Sequence, residues 1–238
     1  LIKKPKLTGT GKERKTDPRG LTRGAKHRVK TARKRKTSST RWLQRQLNDP
    51  YVAAAQRDGY RSRAAYKLTE LDERFHFLAG ARSVVDLGAA PGGWTQVVTE
   101  KCNKQVKVAG IDLLEIEPIA GATFLEMDFT TKEAEEALLN LLDGPVDIVL
   151  SDMAAATTGH RQTDHIRTQE LVELAFYFAR DVLAEGGVFV AKVFRGGADQ
   201  ELLSEMRKYF SKVRHFKPAA SRPESAETYL VAQGFRKS

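Results

Sequence analysis

The chain has 238 residues, 41% of them hydrophobic, and 40 Lys/Arg against 30 Asp/Glu give it a net charge of +10; it can bury a core and hold one substantial domain with an extension, or two small ones. The single cysteine, Cys102, excludes an intramolecular disulfide framework and a cysteine-rich zinc site, so no metal is expected and a reducing cytoplasm suits the chain. No apolar run approaches the ~18–20 residues of a membrane span, and no apolar segment follows the basic N-terminus as in a secretory signal.

The charge is unevenly spread. Residues 1–45 hold 17 Lys/Arg against Glu13 and Asp17, a net of +15, while residues 46–238 hold 23 against 28, a net of −5. Residues 1–40 are poor in large apolar side chains and are expected to form a disordered basic tail ahead of a domain at 41–238. Such a tail is either a solubilising extension or a nucleic-acid arm that gains from phosphate neutralisation, and by itself does not distinguish RNA from DNA or an acidic protein.

From Thr40 two helices are predicted, interrupted near Asp58-Gly59. In the second, Leu68, Leu71, Phe75 and Leu78 recur on one face. Strands then alternate with helices. The strands are predicted at Ser83–Leu87, Val106–Asp112, Thr123–Asp128, Val146–Ser151, Val188–Phe194, Val213–Lys217 and Thr228–Gln233. Helices are predicted near Gly93–Lys101, Thr131–Leu142, Thr163–Ala184 and Asp199–Phe210. This alternation predicts an α/β fold with a mostly parallel sheet and helices on both faces. No internal repeat is present, and no apolar stripe is left over, so a monomer is expected.

Ligands of open parallel sheets sit beyond the carboxyl ends of the strands. The first such end reads VVDLGAAPGGWTQ, where Gly88, Gly92 and Gly93 permit a tight turn. Its spacing is not G-x-G-x-x-G, and no P-loop motif occurs, which disfavours a dinucleotide and a nucleoside triphosphate. Asp112, 24 residues after Gly88, ends the second strand at the position of an acidic residue that meets a cofactor ribose. Asp128 ends the third. One such aspartate is most simply a cap or turn residue. Asp86, Asp112 and Asp128 together on one rim favour a cofactor with a ribose and no pyrophosphate, which suggests S-adenosylmethionine.

Asp152 follows the apolar run of the fourth strand, and Lys192 lies near the end of the fifth, so the two are expected to pair. The short link PAASRPESA before the last strand favours a hairpin and hence an antiparallel strand, whose first residue, Glu227, returns to the same rim. Lys67, on the helix before the first strand, can reach that rim from the side. Two buried ion pairs of purely structural value would also account for these four residues.

From about Arg41 to Arg236 the chain resembles the FtsJ (RrmJ) family of ribose 2′-O-methyltransferases, on YRSRAAYKL, DLGAAPGGWTQ, SDMA, VELA, VFVAKVF and SRPESAETYLVA in that order. The resemblance implies a Rossmann-like S-adenosylmethionine-dependent methyltransferase fold with a seven-stranded, mostly parallel sheet and an antiparallel last strand. It implies methylation of a ribose, a uridine's, in 23S ribosomal RNA of the large ribosomal subunit. It also implies a catalytic Lys-Asp-Lys-Glu tetrad at Lys67, Asp152, Lys192 and Glu227, and cofactor contacts at Gly92, Trp94, Asp112, Asp128 and Asp152. Two departures stand out: Ala155 and Ala156 follow SDMA where the family often has Pro-Asn, and the basic tail exceeds the compact family form.

A sulfonium methyl is already activated, so the reaction needs in-line placement and a proton acceptor. Lys192 is the expected general base and Asp152 its orienting partner, with Lys67 and Glu227 shaping the site. Arg57, Arg61, Arg63, Arg195 and Arg222 are expected, with the tail, to contact RNA phosphates. Two alternatives remain: transfer RNA or another RNA as the substrate, and a non-catalytic RNA-binding assembly factor on the same fold.

Overall fold

The computed structural model describes residues 43–44, 46–102, 105–155, 160–194 and 200–237, with residues 161 and 162 described by their backbone alone. The expected tail at 1–40, Ala156 and Arg195 lie outside the described residues. Two compact units divide between residues 54 and 55, within helix α1 (Pro50–Asp58). In the first unit the Asp49 side chain accepts the Tyr51 N–H at 3.1 Å, and Pro50 takes the first helical position, where no amide donor is needed. The second unit contains the sheet and every residue of the expected site.

Helix α2 (Ala64–Phe75) buries Ala65, Leu68 and Leu71. It stops at His76, in the left-handed region at φ 53°, whose N–H returns to Asp72 O at 2.7 Å. The Asp72 carboxylate then accepts the next two amides, Phe77 and Leu78. After it come β1 (Ser83–Leu87), α3 (Gly93–Lys101), β2 (Lys107–Asp112), β3 (Ala122–Glu126), α4 (Lys132–Asn140) and β4 (Val146–Ser151). The chain continues through α5 (Arg161–Val182), β5 (Leu183–Phe194), α6 (Gln200–Tyr209), β6 (Phe210–Phe216) and β7 (Glu227–Phe235).

The seven strands form one sheet in the order β3-β2-β1-β4-β5-β7-β6. Strands β1 to β5 pair in parallel, and β7 runs antiparallel between β5 and β6. Period-two alternation divides the core between the two faces. Val84, Val108, Ile148, Val190 and Tyr229 meet α2 and α3 through Leu68, Leu71, Trp94 and Val97. Val85, Ile111, Val149 and Phe189 meet α4, α5 and α6 through Leu138, Phe176 and Met206. Each such side chain, fully buried, contributes ~1.5–3 kcal/mol. The strand order reverses between β1 and β4, which puts the switch point at the carboxyl ends of those strands.

Most boundaries shift by a residue or two, and three of the shifts have clear local reasons. Strand β5 begins at Leu183, ahead of Val188, because Leu183 already pairs with Val146; the register then shifts before Ile148 pairs with Val188, across a stretch where Gly186 adopts φ 80°. Strand β6 begins at Phe210 because that residue pairs with Phe235 directly after α6. Strand β3 ends at Glu126, so Asp128 belongs to the turn beyond it rather than to the strand. Among the described residues no helix is long and apolar enough to cross a membrane.

Candidate active site

Register brings four charged residues together. Ser151 of β4 pairs with Ala191 of β5, so the next residue on each strand, Asp152 and Lys192, emerges on one rim. The Lys192 ammonium lies 3.1 Å from Asp152 Oδ1 and also donates to the Asp152 carbonyl. Across β5, Phe194 pairs with Glu227, which opens β7 on that same rim. From α2, Lys67 Nζ reaches Glu227 Oε1 at 2.9 Å and Oε2 at 3.0 Å. All four side chains are between 10% and 17% exposed, so the two ion pairs are mostly shielded yet open to a ligand at the rim.

Tyr229 joins the pairs. It is fully buried, stands opposite Lys192 in the ladder, and donates its hydroxyl to Asp152 Oδ1 at 2.7 Å. The Lys67 ammonium lies 5.7 Å from the centre of its ring, and Trp94 packs on it at 5.6 Å between centroids. Sequence reasoning missed this residue, although the period-two rule counted from Glu227 reaches it. It also missed Ser221, whose hydroxyl donates to Glu227 Oε1 at 2.8 Å, and Glu70, whose carboxylate accepts the Ala220 N–H at 3.0 Å. Arg63, just ahead of α2, donates to the Ala220 carbonyl. Ala220, in the loop before β7, is thereby held through both its N–H and its carbonyl, next to the Ser221 that bonds Glu227.

Electrostatics separates the acids. Burial raises the Asp152 carboxyl, but the charges of Lys192 and Lys67 and the Tyr229 hydroxyl outweigh it and leave Asp152 below the usual range. Asp86, one strand over, has no such cations. Burial pushes it up to about 7; the Thr95 hydroxyl bond at 2.8 Å opposes this, and the charges of Asp152 and Asp112 reinforce it. Its Oδ1 accepts a hydrogen bond from no described residue.

The glycine turn follows β1. Gly88 at φ 77° crosses the start of the loop after β4, where a Cβ would fall 3.0 Å from Met153 N and 2.8 Å from its side chain. Gly92, at φ 100°, opens α3. Trp94 is on the first turn of α3, with its indole N–H held by Ala64 O at 2.9 Å, so what it can present to a ligand is backbone. Asp112 ends β2, where its two oxygens accept the amides of Ala90 at 2.9 Å and Leu114 at 3.0 Å. The Met127 N–H bonds Asp112 O at 2.9 Å, which brings Asp128 to the neighbouring strand end. Asp128 accepts both the amide and hydroxyl of Thr130, which hold its carboxyl below the usual range.

These residues fit S-adenosylmethionine by the chemistry of the donor set. Two carboxylates at adjacent strand ends can accept from a ribose diol. The exposed Leu113 and Leu114, 66% and 65% accessible, offer apolar surface for a purine beside Asp112. Of the arginines expected to contact RNA, Arg57 pairs with Asp58 at 2.7 Å, Arg63 donates to Ala220 O, and Arg61 donates to three carbonyls. Among the described residues no cluster of three or more His, Cys, Asp or Glu could hold a metal ion.

Residues 60–235 match the model of the FtsJ-like methyltransferase family. The chain is 62% identical over 209 residues to the ribosomal RNA large subunit methyltransferase E of Novosphingobium aromaticivorans, covering 88% of this chain and 94% of that one. It is 56% identical over 238 residues to the protein of the same name from Paramagnetospirillum magneticum, with 98% and 95% covered. Among solved structures, a Plasmodium falciparum protein assigned as a ribosomal RNA methyltransferase superposes with a TM-score of 0.65 at 32% identity, over 74% of this chain and 98% of that one.

Proposed function

The chain belongs to the FtsJ-like methyltransferase family, and from that premise we propose that it methylates a ribose 2′-hydroxyl, a uridine's, in the 23S RNA of the large ribosomal subunit. The observation that carries the proposal is the Lys192–Asp152 pair at 3.1 Å, mostly buried on the rim where the parallel strands end. The relatives named for ribosomal RNA methylation support the choice of substrate.

S-adenosylmethionine supplies, when bound, a methyl group activated by its sulfonium charge. Gly92, the Trp94 backbone, Asp112, Asp128 and Asp152 are the residues that would hold it. Lys192 Nζ, in its neutral form, takes the proton of the 2′-hydroxyl. The ammonium so formed is received by Asp152, whose carboxylate and carbonyl both face Nζ. Asp152 stays ionised because two lysines and a phenol favour its charged form. Tyr229 fixes the carboxylate, while the Lys67–Glu227 pair walls the acceptor side. Orientation accounts for much of the rate, and proton acceptance for roughly 10²–10⁴-fold more.

The test offers labelled S-adenosylmethionine in parallel with large subunits, naked ribosomal RNA and transfer RNA. Label in subunit RNA that appears in alkali-resistant dinucleotides is the expected result. Label only in transfer RNA would overturn the substrate, and none anywhere would favour a binding protein on a methyltransferase scaffold.

A further inference from the structure

The segment between α1 and α2 lies against both loops assigned to the cofactor. Arg61 Nη1 donates to Glu117 O at 2.6 Å and Pro91 O at 3.2 Å, and Nη2 donates to Pro118 O at 3.0 Å. Its backbone N–H is held by Gln96 Oε1 at 2.7 Å, and the same Gln96 amide donates back to Gly59 O at 3.1 Å. The side chain passes over Gly92 so closely that a Cβ there would meet Nη1 at 3.0 Å and Cδ at 3.2 Å. Gly92 is glycine for that contact as well as for its φ of 100°.

Asp112 does the converse job on the same two loops. Its carboxylate collects amides from Ala90 and Leu114, while the Arg61 guanidinium collects carbonyls from Pro91, Glu117 and Pro118. The planar guanidinium presents donors on separate nitrogens in fixed directions, whereas a lysine carries its three on a single atom. Three of its five N–H donors are spent on those carbonyls, which fixes the guanidinium between the two loops. We infer that Arg61 is a positioning residue of the cofactor site, a clamp holding the 88–92 turn and the 113–119 loop together ahead of ligand binding. The inference rests on the assignment of those loops to S-adenosylmethionine. Because Lys67 follows six residues later on α2, the clamp also ties the acceptor side of the site to the cofactor side.

Three measurements on the full chain test this. Arg61→Lys keeps the charge and loses the fork, and Arg61→Ala loses both. Calorimetric titration with S-adenosylmethionine and S-adenosylhomocysteine should show both variants weakened on the order of ten-fold or more, because the ligand must now order the loops. RNA affinity and its salt slope should match the parent. Cofactor affinity within two-fold of the parent in both variants would overturn the inference. So would a loss of RNA affinity in Arg61→Ala, with a salt slope smaller by about one phosphate contact, that Arg61→Lys restores. Hydrogen exchange on the free protein gives a reading independent of any ligand. Faster exchange confined to residues 88–93 and 113–119 in Arg61→Lys supports the clamp, and faster exchange throughout the domain overturns it. Failure of the parent protein to bind either cofactor form would count against the cofactor assignment, while the exchange experiment still tests the clamp itself.

Discussion

Tyr229 stands opposite Lys192 across the β5–β7 ladder and donates, at 2.7 Å, to the same Asp152 oxygen that Lys192 faces at 3.1 Å. A phenol and an ammonium thus share one carboxylate oxygen, so the orientation of the acid does not depend on the lysine alone. Tyr229→Phe keeps the ring against Trp94 and removes only the donor. Methyl transfer should fall on the order of ten-fold, equivalent to about 1.4 kcal/mol, with cofactor affinity unchanged. Single-turnover transfer of labelled methyl reads this directly; a rate equal to the parent's would mean the hydroxyl has no part in holding Asp152.

Lys192→Ala should reduce methyl transfer by roughly 10³-fold or more while cofactor binding persists. Lys192→Arg is the sharper variant, since a guanidinium keeps the charge but does not give up its proton. Both should be inactive. Near-normal turnover in either would sink the assignment of Lys192 as base.

The Lys67–Glu227 pair can be separated from its catalytic surroundings by unfolding in urea. Lys67→Met leaves the Glu227 carboxylate, 15% exposed, without its ammonium and should cost on the order of 3 kcal/mol. Lys67→Met combined with Glu227→Gln should cost less than the sum of the two single changes. Simple additivity would show that the contact carries little coupling.

Asp86 predicts a pH dependence. Its folded-state value near 7 lies above the ordinary carboxyl value of about 4, so the native chain keeps a proton that the unfolded chain has released. The stability that this group contributes is complete below about pH 4 and is lost as pH rises through about 7. Asp86→Asn removes the titration at constant shape. Its stability relative to the parent should therefore increase between about pH 5 and pH 8, by on the order of a few kcal/mol, measured as denaturant midpoints. A difference that stays flat over that interval would show Asp86 already ionised at the acid end.

Deleting residues 1–40, which carry much of the chain's positive charge, should weaken RNA binding and flatten its dependence on salt. Titration of labelled RNA at several potassium chloride concentrations measures both. An unchanged slope would make the tail a bystander in binding.

The centre of the sheet was legible because β1, β4 and the second half of β5 are largely apolar runs, a pattern that buried parallel strands produce. Asp152, Lys192 and Glu227 could be found because strand ends in such a sheet share an edge. Tyr229 follows from Glu227 by two residues, but an aromatic in an apolar strand looks like core, which it also is. Arg61 left no local sign of its role. Its acceptors are backbone carbonyls 30, 56 and 57 residues further on, and any residue type can provide a carbonyl. The unpartnered Oδ1 of Asp86 is equally silent, since a missing donor has no sequence pattern. Asp128 lies beyond its strand because Thr130 and the Thr131 cap of α4 draw it into a turn.

The position of β7 between β5 and β6 sets the order in which the molecule can be finished. Strand β6 is synthesised before β7, yet among the described residues its ladder partner is β7 alone, so it must wait for the last strand to arrive. Until residue 227 leaves the ribosome, β5 has an open edge, and an open apolar edge invites pairing with other chains. The same strand carries Glu227 and Tyr229. A chain cut short before it therefore lacks Glu227 and Tyr229 as well as the closure of its sheet, so the defect in fold and the defect in the site arrive together.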